Sequence, residues 1–118
     1  MNDLQNTIEQ AWENRDLLHG KPTKEAIREV IEHLDKGKLR VAEPTIDGDW
    51  KVNDWVKKAV VMYFPIQQME TLEVGMFEFH DKIPLKKGYK ELGVRVVPHA
   101  IARHGAFLAP GVIMMPSY

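Results

Sequence analysis

From Val96 to the end, the chain can be written in consecutive sixes: Val-Val-Pro-His-Ala-Ile, Ala-Arg-His-Gly-Ala-Phe, Leu-Ala-Pro-Gly-Val-Ile and Met-Met-Pro-Ser-Tyr. The first positions, Val96, Ala102, Leu108 and Met114, are all apolar; of the fifth positions, Ala100, Ala106, Val112 and Tyr118, three are small or β-branched. A six-residue period belongs to the parallel β-helix, where each short strand forms one wall and a glycine or polar corner leads into the next. His104-Gly105 and Pro110-Gly111 suit such corners. One coil cannot bury its own core, and about three or more are needed for stability. The period therefore predicts further coils beyond Tyr118. A plain strand and loop is the alternative.

The preceding residues have no such repeat. Leu4, Ile8, Ala11 and Trp12 recur at helical spacing, and Asn2 with Gln5 resembles a capping box, predicting a helix over 3–18. Ala26, Ile27, Val30, Ile31 and Leu34 form a second stripe, beginning behind Thr23 and ending at Gly37. Trp55, Val56, Ala59, Val60 and Tyr63 form a third, capped by Asn53 and stopped at Pro65. Between them Leu39 and Val41 alternate, and Asp47-Gly48 lies between Ile46 and Trp50 as in a hairpin. Leu72, Val74, Met76, Phe77 and Phe79 suggest an extended segment ending near Pro84, followed by a loop over 86–93. The expected class is α+β, with three helices and a few short strands followed by the first coil of a parallel β-helix.

Composition excludes several kinds of function. Sixteen basic against seventeen acidic side chains leave a net charge of −1, too little to draw the whole molecule to nucleic acid or an anionic membrane. Lys86, Lys87 and Lys90, followed by Glu91, read as a solvated loop. Without cysteine there are no disulfides, thiolate metal sites or cysteine nucleophiles, which fits a reduced, cytoplasmic setting. Met1 to Gln10 lacks the pattern of a signal peptide, and no apolar run approaches the roughly 20 residues of a membrane span.

The only serine, Ser117, lies outside any nucleophile elbow, and no glycine-rich phosphate loop occurs. The histidines at 19, 33, 80, 99 and 104 lack metal-ligand spacing, so no metal site is expected. His80 beside Asp81, and the pair His99 and His104, are the ones worth naming. Arg95, between Val94 and Val96 on an expected strand, must have its charge solvated or paired. A guanidinium grips carboxylates in a bidentate fork, which suits a dicarboxylate; an outward-facing arginine or a structural ion pair is the commoner arrangement. Trp12, Trp50 and Trp55 could form a contact surface, but buried packing is commoner.

Several ordered segments carry a family resemblance: Arg40-Val41-Ala42-Glu43, Asp47-Gly48 with Trp50, Trp55 through Val60, and Phe79 through Pro84. Together they resemble the N-terminal domain of tetrahydrodipicolinate N-succinyltransferases. Arg95 through Pro98, Gly105-Ala106-Phe107 and Met115 through Tyr118 are similar to the segment leading into that family's left-handed β-helix. The resemblance implies an N-terminal domain over 1–94 and a truncated hexapeptide-repeat domain from 95 to 118. It implies a homotrimeric acyltransferase of diaminopimelate and lysine biosynthesis, moving a succinyl group from succinyl-CoA to the substrate amine, with no tightly bound cofactor. Active sites would lie between subunits, with Arg95 meeting a substrate carboxylate. The amine would attack the thioester directly while a carboxylate takes the proton and a backbone donor steadies the oxyanion. The family's catalytic acids correspond to no position up to Tyr118, so no catalytic residue is assigned and the chain alone is expected to be inactive. His99 stands where some relatives have glycine and receives no role. A non-catalytic interaction or solenoid-capping module is the competing reading.

Overall fold

The three apolar stripes meet in one core. In the computed structural model, which describes residues 2–118, helix α1 spans Asn2–Glu13, α2 Lys21–Asp35 and α3 Asp54–Ile66. Ile8 and Ala11 from α1, Ile27 and Val30 from α2, and Val56, Ala59 and Met62 from α3 are sealed from solvent. Each fully buried side chain of valine or isoleucine size contributes about 1.5–3 kcal/mol relative to exposure. Trp12 and Trp55 are half-buried against this core, whereas Trp50 stays exposed.

Helix boundaries depart from expectation for local reasons. The first helix stops at Glu13, because the Asn14 side chain accepts a hydrogen bond from the Asp16 amide and begins a separate 3₁₀ turn over Arg15–His19. Asn2 lies inside α1 rather than ahead of it as a cap. Helix α2 begins at Lys21, two residues before Thr23, with Pro22 in its first turn where the missing N–H costs nothing. It ends at Asp35, and Gly37, the foreseen stop, closes it two residues on with a φ of 73°. There the Gly37 amide donates to Leu34 O and the Lys38 amide to His33 O, a Schellman closure. Helix α3 runs one residue past Pro65, which occupies its last turn. Asn53 makes no side-chain cap; its side-chain Nδ2 donates to Arg40 O at 2.7 Å and Glu43 Oε2 at 3.1 Å, tying the preceding hairpin to the helix start.

That hairpin pairs β1 (Ala42–Pro44) with β2 (Trp50–Val52), Ala42 opposite Val52. Leu39 and Val41 precede the strand and pack irregularly on the core. Gly48, at φ 88°, supplies the turn conformation that Asp47-Gly48 promised. The expected extended segment after α3 is a second antiparallel hairpin, β3 (Glu70–Val74) with β4 (Phe77–Asp81). Gly75, at φ 61°, takes the first place in its two-residue turn. Every residue of both strands is exposed.

The expected 86–93 loop holds one helical turn, α4 (Tyr89–Leu92), between left-handed Gly88 and Gly93, making four α-helices among the described residues where three were foreseen. Beyond it, β5 (Arg95–Val96) pairs with β6 (Ile113–Met114) in parallel. Arg95 lies opposite Ile113 and Val96 opposite Met114, so each partner is 18 residues further along. Gly105 and Gly111 have φ of 109° and 90°, as corner glycines require.

Candidate functional site

A cleft of about 910 Å³ opens between the C-terminal end of α3, the β3–β4 hairpin and the irregular stretch 82–87, with Ile101, Arg103 and Tyr118 also lining it. Its apolar lining comes from Ile66, Leu72, Phe79, Ile83 and Ile101, and its charged lining is mostly basic, with Glu70 and Asp81 as the acids. The end of α3 explains part of that charge, since its last carbonyls need donors and favour cations. Arg28 Nη2 donates to Ile66 O at 3.2 Å and to Gln67 Oε1 at 3.2 Å, while Lys82 Nζ donates to Phe64 O at 3.2 Å. Gln67 Nε2 closes the network by donating to Lys82 O at 3.2 Å.

Arg103 lines the cleft. Its Nη2 lies 2.7 Å from Asp81 Oδ2 and its guanidinium carbon 5.7 Å from the Phe64 ring centre, while its buried Nε has no hydrogen-bond partner among the described residues. The Lys82 amide and the Arg103 guanidinium together hold the Asp81 carboxyl below its ordinary pKa, so it is an anion at neutral pH. Lys24, Arg28, Lys82 and Lys87 also line the cleft, and none forms an ion pair among the described residues. The arrangement can hold an acidic group with apolar neighbours.

A second polar cluster joins α2 to the C-terminal segment. Asp35 Oδ1 accepts from Lys86 Nζ at 2.7 Å and from the Gly105 amide at 2.9 Å. His104 places Nδ1 3.4 Å from the same oxygen and Nε2 3.4 Å from Glu32 Oε2. Lys86 is therefore buried and paired, not the solvated loop residue its neighbours Lys87 and Lys90 suggested. Burial raises the Asp35 pKa, but the hydrogen bonds from Lys86 and Gly105, with the charges of Lys86 and His104, outweigh it and leave the carboxyl below its ordinary value.

The other singled-out residues are dispersed. Arg95 is exposed on β5, its amide donating to Val112 O at 3.0 Å, with no ion pair to its side chain among the described residues. His80 Nδ1 lies 2.8 Å from Thr71 Oγ1, and His99 meets the Phe77 ring edge-on with centres 5.4 Å apart. No group of three histidine, aspartate or glutamate side chains among the described residues is placed to hold a metal ion.

The sequence that builds the helical core, the two hairpins and the parallel strand pair is similar to known proteins. Residues 3–66, which hold all three long helices, match the family described as "Tetrahydrodipicolinate N-succinyltransferase N-terminal". A Neisseria meningitidis serogroup C protein named 2,3,4,5-tetrahydropyridine-2,6-dicarboxylate N-succinyltransferase is 49% identical across 98% of this chain and 46% of its own length. Proteins of the same name from Bordetella pertussis and Pseudoalteromonas translucida are 48% and 42% identical, across 98% and 100% of this chain and 46% of their own lengths. The chain thus spans about half the length of the curated relatives it matches. Since the match covers the three core helices and continues through both hairpins to the parallel strand pair, the chain belongs to the tetrahydrodipicolinate N-succinyltransferase N-terminal family.

Proposed function

We propose that this chain is the N-terminal portion of an acyltransferase that moves a succinyl group from succinyl-CoA to tetrahydrodipicolinate, in the route to diaminopimelate and lysine. The observation that carries this reading is identity of 42–49% to proteins of that name over nearly the whole chain. Water adds to the cyclic imine of the substrate and opens the ring; the amine so freed attacks the thioester carbonyl, the carbon–sulfur bond breaks, and coenzyme A leaves as the thiol with the proton the amine gives up. No covalent enzyme intermediate is required, and no tightly held cofactor. Residues 1–94 form the N-terminal domain and 95–118 begin a left-handed β-helix of hexapeptide repeats. In support, β5 and β6 pair in parallel with an offset of three hexapeptides. Ala102 is buried and Val96, Leu108 and Met114 are half-buried, so the apolar first positions turn inward together. The assembly is a cytoplasmic homotrimer whose active sites lie between subunits, and Arg95, free on the edge of that first coil, receives a substrate carboxylate.

A chimera tests the reading: this chain replaces the matching segment of the Neisseria meningitidis relative, and thiol release from succinyl-CoA is followed with and without tetrahydrodipicolinate. Turnover dependent on both substrates is expected from the chimera and none from the 118-residue chain alone. A well-folded chimera without turnover, or robust turnover by the isolated chain, would overturn it.

A further inference from the structure

Two cations of the cleft are held in place by the end of α3. Arg28 Nη2 donates to Ile66 O and Lys82 Nζ to Phe64 O, both at 3.2 Å. Gln67 ties the two residues to each other, since its Oε1 accepts from Arg28 and its Nε2 donates to Lys82 O. Lys24, four residues before Arg28, lies on the same side of α2. Of the other charged residues that line the cleft, Arg103 is paired with Asp81 and Lys86 with Asp35. What is left is Lys24, Arg28, Lys82 and Lys87 against the single unpaired carboxylate of Glu70, among the described residues. The α3 terminus offsets about half an elementary charge, so most of the surplus is unanswered.

The same cleft presents apolar surface to water. Leu72 lies directly across the β3–β4 ladder from Phe79, and both line the cleft while remaining exposed. Ile101 adds a half-buried side chain from the C-terminal segment. A volume of about 910 Å³ is that of a small-molecule site, in which apolar lining carries a few convergent polar groups. A bare inorganic anion would answer the cations and leave Leu72 and Phe79 wet, and an uncharged apolar molecule would do the reverse. We infer that the cleft binds a small amphipathic anion, an apolar chain or ring bearing a carboxylate or phosphate head. The head meets Arg28 and Lys82, and the body covers Leu72, Phe79 and Ile101. Arg95 does not line this cleft, so the inference does not rest on the succinyl-transfer reading, and either can fail while the other stands.

Titration calorimetry tests this on the chain and on its chimera with the Neisseria meningitidis relative, using octanoate, octyl phosphate, acetate and octanol as probes. Saturable binding of octanoate or octyl phosphate is expected from both proteins, and the tighter of the two identifies the head. Acetate, which lacks the body, and octanol, which lacks the charge, should each bind about tenfold more weakly or worse. Lys24→Glu/Lys87→Glu should weaken the two octyl anions about tenfold or more and leave octanol unchanged. Phe79→Ser should weaken every probe that carries the chain, and Arg95→Lys should weaken none. Circular dichroism confirms that each variant is folded. No saturable binding, acetate as tight as octanoate, or affinity indifferent to both cleft variants would overturn the inference. Binding by the chain but not by the chimera would overturn it too, because the rest of a longer chain or a neighbouring copy would then fill the cleft.

Discussion

The Lys86 ammonium sits 2.7 Å from Asp35 Oδ1, joining the end of α2 to a residue 51 positions later. The Lys86 side chain is 4% exposed and that of Asp35 17%, so water does little to screen the pair. Lys86 also donates to the Asp35 carbonyl at 3.2 Å, one of the orphan carbonyls at the helix terminus. One side chain thus supports both a carboxylate and a helix end.

Lys86→Met keeps the aliphatic bulk and removes the charge. It strands a shielded carboxylate, and breaking such a pair from one side costs about 3 kcal/mol. Urea unfolding should show that loss, and Lys86→Met/Asp35→Asn should be less destabilised than the two single changes summed. A single variant as stable as the parent would mean that solvent reaches the pair freely.

Acid should weaken the same joint. A carboxyl held below its unfolded value adds stability that is fully present above the unfolded pKa of about 3.9 and is lost as pH falls through the lower folded value. Asp35 is such a group, with Lys86, His104 and the Gly105 amide facing it and Glu32 beyond His104. Unfolding free energies measured from roughly pH 5 downward should fall more steeply for the parent than for Asp35→Asn. Parallel curves would remove Asp35 from the account.

Much of the helical architecture is legible in sequence because α2 and α3 bury stripes at three- and four-residue spacing, and Gly37 and Gly48 mark turns that demand positive φ. The β3–β4 hairpin is harder to read. Its turn, Gly75-Met76, puts an apolar residue where a polar one usually signals reversal. Lys86, Lys87 and Lys90 look alike along the chain, yet only Lys86 turns inward, because its partner comes from a distant helix end. The cleft cations at 24, 28, 82 and 87 come from α2 and the stretch after β4, so no local motif announces them. Arg95 is reached through the family resemblance and the expected strand, and its exposure leaves it available without assigning its partner.

Gly37 is needed twice over. Its φ of 73° strains any other residue, and a Cβ there would lie 2.8–2.9 Å from ring atoms of Phe107. Gly37→Ala should destabilise by about 2 kcal/mol, combining the left-handed penalty with the steric one. Adding Phe107→Ala relieves the clash but not the backbone term, so the double variant should cost less than the sum of the two. A melting temperature unchanged in Gly37→Ala would mean that the 105–107 segment moves away without penalty.

Arg95 carries the sharpest prediction about substrate. In the chimera with the Neisseria meningitidis relative, Arg95→Lys keeps a positive charge but loses the two-pronged geometry that fits a carboxylate. The residue is exposed, its side chain free of ion pairs among the described residues, and its backbone held in the parallel ladder, so the substitution should leave folding and assembly nearly intact. Losing a charge-assisted hydrogen bond costs about 1.5–3 kcal/mol, which corresponds to roughly ten- to a hundredfold in kcat/KM for tetrahydrodipicolinate. The KM for succinyl-CoA should stay close to the parent value, because the coenzyme lacks the contact in question. A structural role would give a different pattern, a lower melting temperature or impaired assembly with both substrates affected alike. Kinetics on both substrates beside a melting curve separate the two, and unchanged tetrahydrodipicolinate kinetics in a well-folded variant would remove Arg95 from the substrate site.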